Sequence, residues 1–310
     1  GCSLMHVNLN TQIRMKQDIL NESLLKYAHI SRSTPPFILN AHPLGYRNQL
    51  KMPFMLVDGK VTTGFYKRDS NFFVPIDHCI IHDTLLEYRL PVYTKEKEGL
   101  RYLVLRQLSN RTQCTFVTSK IELPEEFVTA VAQLGVFSIH QSINTKVKSP
   151  DIIMQPLKRL FGKDQMPFQI NGLKLQCNPF SFFQLNTYQA AKLYDLVTKG
   201  IRPGTLLVEA YSGMGVMSLL AASKFKEVIG FDTNPASIKN AEENARMNGI
   251  GNVTFKVGDS AEQLKRISKQ RQVDTLIVDP PRAGLDEAMI ETLIRGKIKN
   301  VVYISCNPST

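Results

Sequence analysis

The residues that could do chemistry cluster in the last hundred positions, where acids, glycines and one thiol follow short apolar runs. The run TLLVEA (205–210) leads into Tyr211-Ser212-Gly213-Met214-Gly215. Two glycines let a backbone turn tightly and approach a ligand closely. The third glycine of a dinucleotide fingerprint is missing, since Ser218 stands in that stretch instead. Such a pair alone fits a structural turn nearly as well as a ligand loop. The next run, EVIGFD, ends in Asp232, at the spacing from the glycines where an acid can hold a ribose diol. After VTFKV come Gly258-Asp259, a second acid suited to an adenine amino group. No P-loop lysine is present, which argues against nucleoside-phosphate hydrolysis. A glycine turn with two acids fits a cofactor that has ribose and adenine but no pyrophosphate. S-adenosylmethionine meets that description, with NAD as the competitor.

Two further strand ends carry the rest. DTLIVD closes on Asp279-Pro280-Pro281-Arg282-Ala283-Gly284. Tandem prolines make a stiff, donor-free loop that can hold Asp279 against a substrate or cofactor, although Asp-Pro-Pro alone is more often an ordinary rigid turn. NVVYIS closes on Ser305-Cys306-Asn307-Pro308. A lone cysteine is usually a small buried hydrophobe. At a strand end shared with Asp232, Asp259 and Asp279, Cys306 is instead placed as a nucleophile. Uracil C5 gives that thiolate a task. The ring carbon is too weakly nucleophilic to take a methyl group directly. Thiolate addition at C6 makes an enolate with carbanion character at C5, which can displace a methyl group from a sulfonium. A base must then remove the C5 proton, and a group near the 4-oxygen or N3 must steady the ring. Reaching a base inside folded RNA requires its extrusion.

The elements that must hold these residues are regular after about residue 180. Helices are predicted over 187–200, 214–223, 235–248, 260–269 and 286–295, alternating with the apolar strands just named. Strands apolar throughout, interleaved with helices, imply a parallel sheet covered on both faces. Its ligands sit at the carboxyl ends of the strands. The front of the chain reads differently. Ile13, Leu20, Leu24 and Tyr27 sit at helical spacing over 11–29. From about 43 to 125 short alternating stretches separated by turns predict antiparallel strands. A helix near 124–134 and two more strand-like pieces, SIHQSIN and QINGLKLQ, complete that half. Residues 150–167 show the weakest pattern and suggest a connection between domains. The expected architecture is α/β: an α+β domain over 1–165 and a Rossmann-like sheet over 166–310, with helix 11–29 placed to pack on the second.

Composition sets the class. The chain has 310 residues, 43% hydrophobic and 21% charged, as in a folded protein. No run reaches the roughly 18 apolar residues of a membrane helix. The formal charge is +11, with 38 basic against 27 acidic residues, and the excess is larger before Gln165 than after it. That balance favours a polyanionic partner, though solubility alone also explains it. Cys2, Cys79, Cys114, Cys177 and Cys306 form an odd, scattered set. With no leader segment in view, reduced thiols and a cytoplasmic location are expected. The chain starts without Met and stops at Thr310, four residues after Cys306, which is read here as a piece of a longer protein.

Taken together, NPFSFFQLN (178–186), AYSGMG, DPPRAG and SCNPST closely resemble the S-adenosylmethionine-dependent RNA uracil-C5 methyltransferases. The resemblance implies a Rossmann-like methyltransferase sheet beside an RNA-binding α+β domain. It implies that Gln184, Tyr211, Asp232, Asp259 and Asp279 contact cofactor or target uracil, beside Gly213 and Gly215, and that Cys306 is the nucleophile. Gly45 to Lys51 resembles the family's central RNA-binding region, and Lys51 aligns with a basic residue that reaches RNA. Gly1-Cys2-Ser-Leu-Met-His and Pro75-Ile-Asp-His-Cys79 are similar to parts of the branch that carries a 4Fe-4S cluster, so Cys2 and Cys79 are candidate remnants of its four ligands. That branch implies 23S rRNA as the RNA partner, with relatives acting on tRNA as the alternative; a monomer is expected. The family also has a proton-abstracting glutamate downstream of the cysteine, which this sequence lacks, so slow product release is expected. Three competing readings remain: an amino-group methyltransferase using Asp-Pro-Pro, a non-catalytic iron–sulfur RNA-binding module, and a nicotinamide enzyme.

Overall fold

The computed structural model describes residues 4–76, 78–82, 99–119, 122–146 and 152–309. It opens with helix α1 (Leu9–Ala28), whose first turn is closed by the Asn8 side chain accepting from the Thr11 amide at 3.0 Å. Strands β1 (Gln49–Val57), β2 (Lys60–Tyr66), β3 (Phe73–Pro75), β4 (Leu100–Leu108) and β5 (Arg111–Thr118) follow. Helix α2 (Glu125–Ala132) then leads to β6 (Ser138–Ile143) and β7 (Leu157–Gly162). These strands form one sheet in the order β3-β2-β1-β4-β5-β6-β7, antiparallel except for the β5–β6 pair. One face buries Met52, Leu103, Phe116 and Ile139 under Phe127 and Val131 of α2. The weakly patterned stretch 150–167 contains β7, so it is more than a connection. Its strand is an edge with mostly exposed side chains, which is why it shows no alternation.

A hairpin joins the two halves. Strands β8 (Met166–Ile170) and β9 (Leu173–Cys177) pair antiparallel around Asn171 and Gly172, both with positive φ. The sequence pattern suggests one strand over QINGLKLQ; the structure folds it at the Asn-Gly turn, the dipeptide best suited to two left-handed residues. The hairpin docks on the later helices, with the Gln176 amide donating to Asn244 Oδ1 at 2.9 Å.

The second sheet holds β10 (Gly204–Ala210), β11 (Phe225–Asp232), β12 (Val253–Val257), β13 (Val273–Val278) and β14 (Ile298–Tyr303). Helix α3 (Thr187–Gly200) precedes it, and α4 (Val216–Ala221), α5 (Pro235–Met247), α6 (Ser260–Gln270) and α7 (Glu287–Arg295) link its strands. All pairings are parallel, in the order β12-β11-β10-β13-β14. This is the mixed α/β methyltransferase architecture the sequence pattern predicts. Cores lie on both faces: Leu207, Val228 and Ile277 on one, Leu206, Val208 and Leu276 on the other. Helix α4 is shorter than the expected 214–223, because residues 222–224 tighten into a 3-10 turn. The chain direction across the sheet reverses between β10 and β13, and such a reversal opens a crevice at the carboxyl ends of those two strands.

Side chains from the first sheet fix the loop 178–186 that overhangs this crevice. Arg106 on β4 donates to the Asn178 and Ser181 carbonyls at 2.8 and 2.6 Å. Asn48 donates to the Gln184 carbonyl at 2.8 Å and to Thr187 Oγ1 at 2.9 Å. Far along the chain, Ser23 of α1 lies with its hydroxyl 3.4 Å from that of Ser309.

Candidate active site

The turn after β10 takes a shape that its residue types explain. Gly215 has φ +82°, and a Cβ there would stand 2.4 Å from the Phe255 ring on β12, so only glycine fits. Gly213 also has positive φ, but the space where its Cβ would point is open. Tyr211 holds φ +61° without being glycine, a strained conformation of the kind found where a backbone is shaped for a ligand. Its Ser212 neighbour has a buried hydroxyl with no partner among the described residues.

Asp232 follows directly from this turn. It closes β11, and its two oxygens accept from the Gly213 amide at 2.9 Å and the Asn234 amide at 2.8 Å. The carboxylate therefore locks both flanking loops and keeps lone pairs for a diol. Asp259 is exposed at the end of the neighbouring strand, where it caps α6 through the Glu262 amide at 2.9 Å. Asp279, just beyond β13, accepts from Gln184 Nε2 at 3.1 Å. Burial pushes the Asp279 carboxyl upward, and the Gln184 bond partly opposes this.

Beneath them lies Glu209 in the middle of the sheet, only 1% exposed. It accepts from the Ser218 amide at 2.8 Å and from the Ser218 hydroxyl, so it closes the first turn of α4, where Gly215 offers no side-chain cap. Burial pushes its carboxyl up to about 8; the Ser218 bonds pull it down, and the charges of Asp279 and Asp232 push it further up. Gln184, Tyr194, Glu209, Tyr211, Gly213 and Asp279 line one pocket at the switch point. Burial, followed by the nearby Asp279 and Glu209 carboxylates, raises the Tyr194 phenol. Burial first, then Asp286 and Asp259, raises that of Tyr211.

The remaining sequence-derived candidates stand around this pocket. Cys306 lies on the bend after β14, exposed. That bend is tied to the neighbouring strand by the Ile304 amide donating to the Val278 carbonyl at 2.9 Å, one residue before Asp279. Ser305 Oγ accepts from the Asn307 amide at 3.0 Å and shapes the turn. Burial pushes the Cys114 thiol up to about 12 and raises that of Cys177, so both are inert core groups. Cys306, Asp232 and Asp259 share the carboxyl edge without lining the pocket, Asp232 reaching it through its bond to the Gly213 amide, and Gly215 acts behind it through packing.

A second cavity, of about 410 Å³, adjoins the first along the 178–182 loop. Lys51 on β1 lines it with Gln49, Arg106 and Asn234, and Phe182, 64% exposed, borders both spaces. Phe182, Arg106 and Asn48 carry no chemical signature as single residues; only their long-range contacts reveal them.

Cys79 is half-buried against the core of the first sheet, and Cys2 lies outside the described residues. Among the described residues no group of three or more His, Cys, Asp or Glu comes together to hold a metal. Of the two candidate cluster ligands only Cys79 is among the described residues, and no step is derived through a cluster. The residues present do fit S-adenosylmethionine: an open glycine turn, a diol-ready carboxylate and an unpartnered buried hydroxyl meet at the switch point.

Five parallel strands in this order, with a glycine turn and acids at successive strand ends, define a nucleoside-cofactor methyltransferase. The chain belongs to the tRNA (uracil-5-)-methyltransferase family, whose model matches residues 139–310. It is 35% identical to an uncharacterized RNA methyltransferase of Listeria innocua over 100% of this chain and 74% of that protein. A similar protein of Enterococcus faecalis is 32% identical over 100% of this chain and 74% of its own length. Among solved structures, a Pyrococcus abyssi tRNA (uracil-54, C5)-methyltransferase in complex with S-adenosyl-L-homocysteine superposes with a TM-score of 0.78, at 28% identity, covering 100% of this chain and 76% of that one. The chain is accordingly a S-adenosylmethionine-dependent RNA methyltransferase.

Proposed function

We propose that this enzyme methylates C5 of a uracil in structured RNA, with Cys306 as nucleophile and the pocket at the ends of β10, β11 and β13 as the cofactor site. Asp232 accepts the ribose hydroxyls, Asp259 takes the adenine amino group through the oxygen not used in capping α6, and the Gly213 turn leaves room for the cofactor backbone. When bound, S-adenosylmethionine supplies an electrophilic methyl group on a sulfonium. The Cys306 thiolate adds to C6 of the extruded base and the enolate carbon C5 takes the methyl group; a base then takes the C5 proton, the C5–C6 double bond reforms and the C6–sulfur bond breaks to release the thiolate. Gln184 and Asp279, hydrogen-bonded to each other, orient the ring and the cofactor. The observation that carries this reading is that Asp279 and Cys306 leave neighbouring parallel strands, β13 and β14, beside the glycine turn.

The first sheet, with Lys51 and the cavity at Phe182, is the RNA-facing part, and the excess of basic residues before Gln165 supports that role. The enzyme is proposed to act as a cytoplasmic monomer; among the described residues no helix is long and apolar enough to cross a membrane. Two RNA substrates are supported by different observations. Likeness of the segments at Cys2 and Cys79 to the cluster-bearing branch supports 23S rRNA. Similarity along the whole chain to the Pyrococcus abyssi tRNA enzyme supports tRNA. Transcripts of both RNAs, incubated with protein and S-adenosylmethionine and then mapped by mass spectrometry, decide between them. 5-methyluridine is expected in one RNA at a defined position; its absence from both, or methylation at another base, contradicts the proposal.

A further inference from the structure

The pocket is a negative well inside a basic protein. Glu209, Asp232 and Asp279 converge from three neighbouring strands, and among the described residues none of them pairs with a cationic side chain. The chain as a whole carries +11, so the missing counter-charge is local. The titratable groups facing Glu209 are Asp232 on β11, Asp279 beyond β13, Tyr194 on α3 and Tyr211 across the pocket. Helix α4 contributes Ser218 and no titratable group, and α6 packs on the opposite face, against Leu206 and Val208. Ionising Glu209 therefore adds negative charge beside the Asp232 and Asp279 carboxyls, in a water-poor interior where like charges repel strongly. A positive charge placed in the pocket relieves that repulsion.

We propose that Glu209 makes this pocket select the sulfonium cofactor over its neutral thioether coproduct, releasing a proton when the cofactor binds and regaining one when the positive charge is lost. The inference rests on the cofactor placement given above. Cofactor and coproduct share the adenosine and amino-acid ends and differ by one methyl group and one charge. In the transfer, sulfur keeps the electron pair of the breaking carbon–sulfur bond and becomes neutral, while C5 forms the new bond. Glu209 then faces Asp232 and Asp279 without compensation and takes a proton from solvent. Charge loss thus weakens the hold on spent cofactor without moving any element of the fold.

Calorimetric titration of the protein with S-adenosylmethionine and with S-adenosylhomocysteine, across pH and in buffers of different ionisation enthalpy, reads both effects. Near neutral pH the cofactor is expected to release a proton on binding and the coproduct none. The ratio of their affinities should rise roughly tenfold or more between about pH 6 and pH 9, as for a carboxyl shifted by a nearby opposite charge. Glu209→Gln should abolish the release and flatten the ratio. Ser218→Ala keeps the carboxyl but removes its hydroxyl donor, so the rise should move to higher pH; this variant carries the test if Glu209→Gln does not fold. A ratio flat with pH in the unaltered protein, or an unchanged rise in Glu209→Gln, overturns the proposal. Failure of both molecules to bind at any pH contradicts the cofactor placement itself.

Discussion

Asp232 carries two loads at once. Its oxygens tie down the Gly213 and Asn234 amides, and they remain able to accept hydroxyls from a ribose. Charged hydrogen bonds contribute about 1.5–3 kcal/mol each. Asp232→Ala is therefore expected to weaken S-adenosylmethionine binding at least roughly tenfold in a calorimetric titration, and unchanged affinity would place the cofactor elsewhere. Their position at the carboxyl ends of parallel strands is what marks Asp232, Asp279 and Cys306 as site candidates in the sequence, because ligands of such sheets sit there. The charge state of Glu209 was not legible. It depends on burial beneath the pocket and on two carboxylates brought in by β11 and β13, none of which is local in sequence. The capping of α6 by Asp259 is local by contrast, since Asp259-Ser-Ala-Glu262 is a capping-box pattern, although that position also suits an adenine contact.

At the scale of elements, the apolar strands and intervening helices of the second half are legible in the sequence, because a parallel sheet buried on both faces leaves continuous apolar runs. The first half was harder. Strand β7 is a mostly exposed edge, LKRLFG, with no alternation for a buried face to impose. The β8–β9 hairpin hides in QINGLKLQ because each strand has only five residues, although its Asn-Gly turn is a strong local signal. Helix α4 shows how an element can depend on a distant group. Its N-terminal glycine is required by the close approach to Phe255, so its cap comes from Glu209 on β10. Loop 178–186 depends on Arg106 and Asn48 in the same way, and those long-range bonds place Gln184 beside Asp279.

The whole molecule should register the buried acid in its stability. A carboxyl whose folded value is raised binds a proton in the folded state while the unfolded chain has already lost it. Between its ordinary value of 4.5 and about 8, stability therefore falls as pH rises. His82, lowered to about 4 by burial and by Arg47, and His140, also lowered by burial, act in the opposite sense. Both are almost fully neutral in folded and unfolded states only from about one pH unit above the ordinary histidine value of 6.5, where their contribution levels off. From about pH 7.5 to 8 the Glu209 effect should outweigh theirs, a loss below about 1.4 kcal/mol per pH unit that fades as the pH passes 8. Thermal melts across that window should show a decline that Glu209→Gln flattens; an equal slope in both proteins would contradict the assigned protonation.

The proposed division of labour, a first sheet that faces RNA and a parallel sheet that binds cofactor, meeting at loop 178–186, stands or falls on covalent attack by one thiol. Incubation with the RNA substrate and S-adenosylmethionine, followed by denaturing electrophoresis, tests this most directly. A protein–RNA adduct that survives denaturation and is absent in Cys306→Ser is predicted. Methylation of the RNA by Cys306→Ser at the rate of the unaltered protein would contradict the account.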